Sequence, residues 1–258
     1  MLFLISPAKK LVCEGLDDRF GHTNPEHIQE AEYLVQKLKK KTPIGLQRMM
    51  GISKDLALLN HDRFQHWQAE PQAEESMQAV LMFQGDVYQG LQAKEWSKKD
   101  MQYAQSHLRI LSGLYGILRP LDRIMPYRLE MGSDFKVTAA KKNLYSFWGD
   151  TLLNEIKEEL ESAENPMVVN LASNEYAKAV RLNKAGIRVI TPEFKEAHKG
   201  TYKMMSFFAK KARGMMARFA VEHRLDDVEH LKAFDSEGYY FNKELTQGDR
   251  WVFTRDKR

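Results

Sequence analysis

The chain has 258 residues, of which 43% are hydrophobic and 29% charged, enough apolar content to bury a sizeable core. Its single cysteine, Cys13, excludes an internal disulfide and any cysteine-based zinc or iron–sulfur cluster, and low cysteine content fits a reducing cytoplasm. The apolar N-terminus, residues 2–5, is too short for a signal peptide or a membrane span. We therefore predict a cytoplasmic protein that does not enter a membrane, with one compact domain over residues 1–258.

The predicted elements change character along the chain. In the first half we predict a buried strand at 2–5, then helices at 25–41 (capped by Asn24), on both sides of Gly51, at 97–118 and at 143–161. In the second half we predict strands at 167–171, 187–190, 202–208, 239–241 and 251–254. This order predicts an α+β fold, an irregular mixed α/β arrangement with a helical N-terminal half and strands mainly at the N-terminus and in the C-terminal half.

Residues 46–57 resemble the helix–hairpin–helix element of DNA-repair proteins. Apolar residues stand at 46 and 49, Gly51 can adopt the positive φ of a tight turn, and Ala57 lets two helices pack closely. Free N–H groups of the second helix, near Ser53 and Lys54, would then bind a DNA phosphate without reading sequence. Ser53 departs from the usual second glycine, and an ordinary connection between two helices remains the alternative.

A strongly basic helix is predicted to begin near Phe208. At 100° per residue, Lys210, Lys211, Arg213, Arg218 and Arg224 fall within an arc of roughly 160°. Gly214 and Ala217 lie inside the same arc, where their small size predicts close approach of a phosphate backbone. From residue 203 to residue 224 the only acid is Glu222, so the positive charge of the chain is local.

An arc with almost no acidic residues favours an anionic partner over an ordinary solvated helix face, which usually mixes both signs. Nucleic acid is favoured over a membrane surface because the opposite side of the helix is typical of protein core. Weaker candidates for contact with DNA are basic residues elsewhere in the chain: Lys9, Lys10, Arg109, Arg119 and Arg128.

The alternative interpretation is that the same basic residues line a pocket for a small ligand. Ligand crevices often lie at the carboxyl ends of parallel strands. The residues that would form such a site follow two predicted strands or lie between them: Ser6, Lys9, Tyr127, Asn170, Ser173 and Glu175. Ser6 with Lys9 is a possible nucleophile and base, although a serine after a strand is more often a turn residue. No motif predicts a metal site or a bound cofactor.

Several segments, in one order along nearly the whole chain, are similar to the YaaA-type family of peroxide-stress-resistance proteins. They are residues 4–9, 85–88, 108–122, 126–132, 147–150, 170–173, 209–214 and 236–239. Lys10 departs from the family pattern, in which threonine stands at this position.

The resemblance implies a protein of the hydrogen peroxide response that limits damage to DNA and is associated with lowered free intracellular iron. It also implies an unusual fold with a helix–hairpin–helix element beside a basic cleft, and binding to duplex and branched DNA. Our leading hypothesis is therefore a DNA-binding protein without sequence preference. The alternative is an enzyme that acts on a small phosphorylated or nucleotide-like substrate in the same cleft. The sequence leaves the oligomeric state open.

Overall fold

The computed structural model describes residues 1–256 and confirms the α+β fold. The strands of the described residues are β1 (Leu2–Ile5), β2 (Lys10–Leu11), β3 (Met77–Gln78), β4 (Phe83–Gln84), β5 (Leu108–Ser112), β6 (Gly116–Leu118), β7 (Arg123–Ile124), β8 (Met167–Asn170), β9 (Arg188–His198), β10 (Thr201–Lys203), β11 (Tyr239–Phe241) and β12 (Arg250–Arg255). The α-helices are α1 (Ile28–Leu38), α2 (Pro43–Met50), α3 (Lys54–His66), α4 (Ala79–Met82), α5 (Asp86–Leu91), α6 (Lys98–His107), α7 (Leu144–Trp148), α8 (Thr151–Leu160), α9 (Asn174–Val180) and α10 (Ser206–Glu222).

Within residues 1–256 an eight-stranded mixed sheet runs in the order β11-β12-β9-β8-β1-β5-β6, and β10 pairs with β9. The strands β5, β1, β8, β9 and β12 are mutually parallel, whereas β6, β10 and β11 are antiparallel to their neighbours. All four residues of β1 are buried, as expected for a short apolar strand in the middle of a parallel sheet. The carboxyl ends of β1 and β8 therefore meet at one edge of the sheet.

The strand β5, which lies between β1 and β6, was not predicted from the sequence. The helix predicted over 97–118 ends at His107, and the next five residues form a strand parallel to β1. All five are buried, including Arg109 and Ser112, and a short run with this apolar content does not distinguish a buried strand from a buried helix by periodicity. The N-terminal part of the predicted helix is confirmed as α6. Ser97 caps this helix: its side chain accepts from the backbone N–H of Asp100, and the Asp100 side chain accepts from the backbone N–H of Ser97.

Other predicted boundaries were wrong for local reasons. The helix predicted over 143–161 is interrupted at Gly149, where φ is 56°, although Asn143 caps α7 as expected. The strand predicted at 202–208 is confined to β10, and α10 begins already at Ser206. Likewise α1 begins only at Ile28, and its N-cap position is His27 rather than Asn24.

Two glycines bring α5 and α10 into direct backbone contact. A Cβ on Gly214 would lie 2.8 Å from the carbonyl carbon of Val87 and closer still to its oxygen. A Cβ on Gly90 would lie 2.7 Å from the backbone nitrogen of Met215. Gly214 and Ala217 are buried, so the prediction that they admit a phosphate backbone was wrong. The small size of Gly214 admits helix α5 instead.

This contact predicts a large effect of Gly214→Ala. The added methyl group must push α5 and α10 apart, so we expect the free energy of unfolding to fall by about 3 kcal/mol or more. The matched control is Gly45→Ala in α2, where the new Cβ would meet its nearest neighbour, Thr42 Oγ1, at 3.4 Å. We expect this control to raise stability by up to about 1 kcal/mol. Urea unfolding followed by circular dichroism measures both; equal effects of the two substitutions would contradict the proposed packing constraint.

His27, at the N-cap position of α1, contacts Glu155 of α8. His27 Nε2 lies 2.6 Å from Glu155 Oε2, and the ring is buried against Trp148. Burial lowers the pKa of His27, but the hydrogen bond and the charge of Glu155, with smaller effects of Glu30 and Glu26, outweigh it and raise the pKa above 6.5. The folded state therefore favours the histidinium form.

The sign of this shift sets a pH dependence of stability. The contribution of His27 is fully present below the unfolded pKa of about 6.5 and is lost as pH rises through the higher folded pKa. We expect the destabilisation caused by His27→Gln to be larger at pH 6 than at pH 8.5, as measured by urea unfolding. In a Glu155→Gln background this pH dependence should shrink. A destabilisation that does not change with pH in the wild-type background would contradict the assignment.

Candidate functional site

A cleft of about 460 Å³ lies at the sheet edge where β1 and β8 end. We call it the cleft throughout. Its walls come from the β1–β2 connection, the β4–α5 junction, the segment after β7, the start of α9 and one side of α10. The lining residues are Ser6, Pro7, Ala8, Lys9, Lys10, Gln84, Gly85, Asp86, Val87, Tyr88, Tyr127, Arg128, Leu129, Glu130, Ser173, Glu175, Tyr176, Lys210 and Arg213. The volume is in the range of small-molecule pockets.

The floor of the cleft is held by hydrogen bonds between the two strand ends. The backbone N–H of Ser173 donates to Ser6 Oγ at 2.8 Å, and the Tyr88 hydroxyl donates to the Ser6 carbonyl at 3.1 Å. The Glu175 carboxylate accepts from the backbone N–H of Gly132 at 2.8 Å. Ser6 therefore joins the β1 and β8 ends, and the prediction that polar residues at these ends meet in space is consistent with the structure.

One group of cations in the cleft is matched by a carboxylate. Glu130 Oε1 lies 2.9 Å from Arg128 Nη2 and 3.4 Å from Lys9 Nζ. The ammonium group of Lys9 is therefore paired with an acid, and a role of Lys9 as a base for Ser6 stays a prediction. Arg128 is largely buried, and Nε of its guanidinium has no hydrogen-bond partner among the described residues. Arg128 is thus fixed in the wall with one donor unsatisfied.

A second group of cations has no carboxylate partner. Within residues 1–256, Lys10, Lys210 and Arg213 form no ion pair within 4.0 Å. Lys10 and Lys210 are exposed, whereas Arg213 is half-buried. Burial lowers the pKa of Arg213, and the charge of Glu193 opposes that change from a greater distance. A guanidinium stays charged at physiological pH, so a half-buried one without a paired acid favours a bound anion.

Three tyrosines form the apolar side of the cleft. Burial raises the pKa of Tyr88, Tyr127 and Tyr176 well above the ordinary value, so their hydroxyls stay neutral. The Tyr127 hydroxyl lies 2.6 Å from Ser112 Oγ at the end of β5. Sequence reasoning selected Tyr127 but missed Tyr88, Tyr176, Asp86 and Glu130. Three of these four lie in or beside segments that carry the family resemblance: Asp86 and Tyr88 at 85–88, and Glu130 at 126–132.

Several predicted site residues lie outside the cleft. Lys211 and Arg218 line a separate cavity of about 650 Å³, where Lys211 pairs with Glu237 and Arg218 pairs with Glu222 and Glu95. Arg224 pairs with Asp100. Asn170 accepts from the backbone N–H of Ala172, which makes it a residue of the turn after β8. These placements divide the basic arc of α10 between two cavities.

Arg109 and Arg119 serve the fold instead of the cleft. Arg109, on β5, is buried and forms a bidentate ion pair with Glu159 of α8. Arg119 bonds to Asp122 and to the carbonyl of Asn24. Truncation of a buried ion-pair partner is strongly destabilising, so Arg109 is needed to hold β5 to α8, whereas Arg119 is partly exposed and braces a local turn. We exclude both from the proposed ligand surface.

The residues around Gly51 form a helical hairpin. Gly51 follows α2 with φ of 62°, and Ser53 caps α3 by accepting from the backbone N–H of Leu56 at 3.3 Å. Ser53 has φ of −65°, so the position does not require the second glycine of the repair-protein element. The backbone N–H of Asp134 donates to the carbonyl of Met49, which ties the hairpin to the segment that follows the cleft residue Glu130. Contact of this hairpin with DNA stays a prediction.

None of the helices within residues 1–256 has the length and apolar character needed to cross a bilayer. In the same residues no three His, Cys, Asp or Glu side chains are grouped so that they could hold a metal ion.

Comparison with known proteins identifies the family of the chain. The family model described as peroxide stress protein YaaA matches residues 1–245. A UPF0246 protein of Ralstonia nicotianae is 48% identical over 255 residues, which are 99% of each chain. A UPF0246 protein of Cellvibrio japonicus is 48% identical over 257 residues, which are 100% of this chain and 99% of that one. The chain therefore belongs to the YaaA family of peroxide stress proteins.

Proposed function

We propose that this protein binds the phosphate backbone of duplex and branched DNA in its cleft, without sequence preference, as part of the peroxide response. The observation that carries the proposal is the group formed by Lys10, Lys210 and Arg213, three cations of one cleft without paired acids. Phosphate is the anion that such a group suits best, because guanidinium and ammonium donors bind its oxygens by charge-assisted hydrogen bonds.

The surroundings support nucleic acid as the source of that phosphate. Lys10 and Lys210 are exposed at the rim, where they would reach a backbone that passes over the cleft. The hairpin around Gly51 and Ser53 presents the first N–H groups of α3, with Lys54, as a second proposed phosphate contact. Backbone contacts of this kind fix position but read no bases, so we expect no sequence preference.

The biological role follows from the family together with this chemistry. A protein of the peroxide response that covers DNA would limit oxidative damage to it, and this role requires a cytoplasmic location, which we include in the proposal. The association with lowered free intracellular iron stays a prediction.

The enzyme alternative is favoured by one observation. The cleft has the volume of a small-ligand pocket and lies at the carboxyl ends of β1 and β8, where ligands of parallel sheets commonly bind. In this alternative Arg213, Ser6 and Ser173 would bind the phosphate of a nucleotide-like substrate. Both functions use the same phosphate chemistry, so the experiment must separate a polymer from a monomer.

We expect Lys10→Gln/Lys210→Gln to weaken DNA binding and to reduce its salt dependence. Loss of two phosphate contacts should lower the slope of log Kobs against log salt by about 1.8. Fluorescence anisotropy of labelled duplex and branched DNA, over a series of salt concentrations, measures both quantities. The matched control is Lys157→Gln/Lys184→Gln, which removes the same charge at exposed positions that do not line the cleft.

The controls give each outcome a meaning. An equal loss of binding in both double variants would show that only net charge matters and would contradict the cleft assignment. Absence of salt-sensitive DNA binding by the folded wild type would reject the DNA proposal. If a nucleoside monophosphate then raised the thermal stability of wild type but not of Arg213→Gln, the small-ligand alternative would replace it.

A further inference from the structure

The first turn of α10 exposes two large aromatic side chains. Phe207 is 56% exposed and Phe208 is 36% exposed, although the rest of the apolar side of this helix is buried. The two rings pack edge to face with centroids 5.6 Å apart. The guanidinium of Arg255 lies 5.0 Å from the centroid of Phe208, which holds that ring from the far side. Phe207 is therefore the outer, accessible ring of a supported pair.

The pair lies on α10 one helical turn before Lys210, the first residue that this helix contributes to the cleft. Phe207 precedes Lys210 by three residues and Arg213 by six, which places them about 4.5 Å and 9 Å further along the helix axis. Residues three apart on a helix are surface neighbours, so Phe207 adjoins Lys210. Lys210 and Arg213 both line the cleft. Phe207 thus lies one helical turn before the cleft residue Lys210, and also one turn before Lys211, which pairs with Glu237.

The charged residues near Phe207 and Phe208 indicate which kind of partner this surface suits. Between residues 199 and 218 the chain contains six lysines and arginines and no acidic residue, and the acids Glu196 and Glu237, which lie near the pair, are bonded to Arg255 and Lys211. An exposed apolar ring in such a surrounding suits a partner that combines a negative backbone with flat apolar faces. Single-stranded nucleic acid has both, and proteins bind it by stacking bases on aromatic side chains above a basic groove.

We propose that Phe207 and Phe208 stack an unpaired base of a DNA strand whose phosphates are bound by Lys210 and Arg213. This inference rests on the proposed function and adds a preference within it. A base inside a continuous duplex already stacks on its neighbours and offers no free face to Phe207. DNA with single-stranded tails, gaps or open branch points therefore binds more tightly than blunt duplex of the same charge.

The test compares a tailed duplex with a blunt duplex that has the same number of phosphates, by fluorescence anisotropy at one salt concentration. Stacking contributes about 1–3 kcal/mol per base, so Phe207→Ala should weaken binding of the tailed duplex by about tenfold or more. Binding of the blunt duplex should stay unchanged. Phe207→Trp, which keeps an aromatic face, should retain the preference, whereas Phe207→Leu, which keeps only apolar volume, should lose it.

Met204→Ala is the matched control, because Met204 is 52% exposed near the same place but has no ring. This variant should bind both DNAs as wild type does. If Phe207→Leu keeps the preference, or if wild type binds the two DNAs equally, the stacking inference is wrong while the DNA proposal stands. If wild type binds neither DNA, the proposed function fails first. Phe207-dependent binding to vesicles containing phosphatidylserine, without a preference for tailed DNA, would replace the strand by a membrane surface.

Discussion

The backbone contact between α5 and α10 is the constraint on which the cleft depends. Gly90 and Gly214 remove the side chains that would keep the two helices apart, and each glycine meets backbone atoms of the other helix. The helix α5 contributes Asp86, Val87 and Tyr88 to the cleft, and α10 contributes Lys210 and Arg213. The two walls can therefore lie this close together only because Gly90 and Gly214 have no Cβ atom.

The same contact explains why the charge of α10 is divided. With Gly214 against α5, basic residues on the two sides of this contact line different cavities. Lys210 and Arg213 face the cleft without paired acids, whereas Lys211 and Arg218 face acidic partners. The side on which these two α10 cations have no paired acid is the side at the carboxyl ends of β1 and β8. Charge and topology thus favour the same location for an anion.

Some of this arrangement is readable in the sequence. The basic periodicity of α10 and the short apolar runs of β1 and β8 predicted these elements, and the rule for parallel strand ends brought Ser6 and Ser173 together. The full lining of the cleft was harder to predict from the sequence, because Tyr88 and Tyr176 reach the cleft through tertiary packing that no local pattern encodes. They are typical of core tyrosines when only their sequence neighbours are considered.

The errors have a common physical cause. Periodicity reports which residues are apolar, but it does not report what covers them. Leu108–Ser112 is buried on every side because it is a strand between β1 and β6, and its apolar residues also suit a buried helix. Arg109 looked available for DNA because its partner, Glu159, lies 50 residues away in the sequence. Gly214 was predicted to leave room for a phosphate backbone, but α5 occupies that room.

Amide hydrogen exchange of the full chain, with and without branched DNA at saturating concentration, tests the central claim most directly. If the cleft binds the backbone, exchange should slow in residues 6–11, 84–88 and 206–213, which form three of its walls. Residues of α8, the helix that carries Glu159 and that contributes no residue to the cleft, should exchange as before. DNA binding that leaves the exchange of all three cleft segments unchanged would contradict the claim that this cleft is the site.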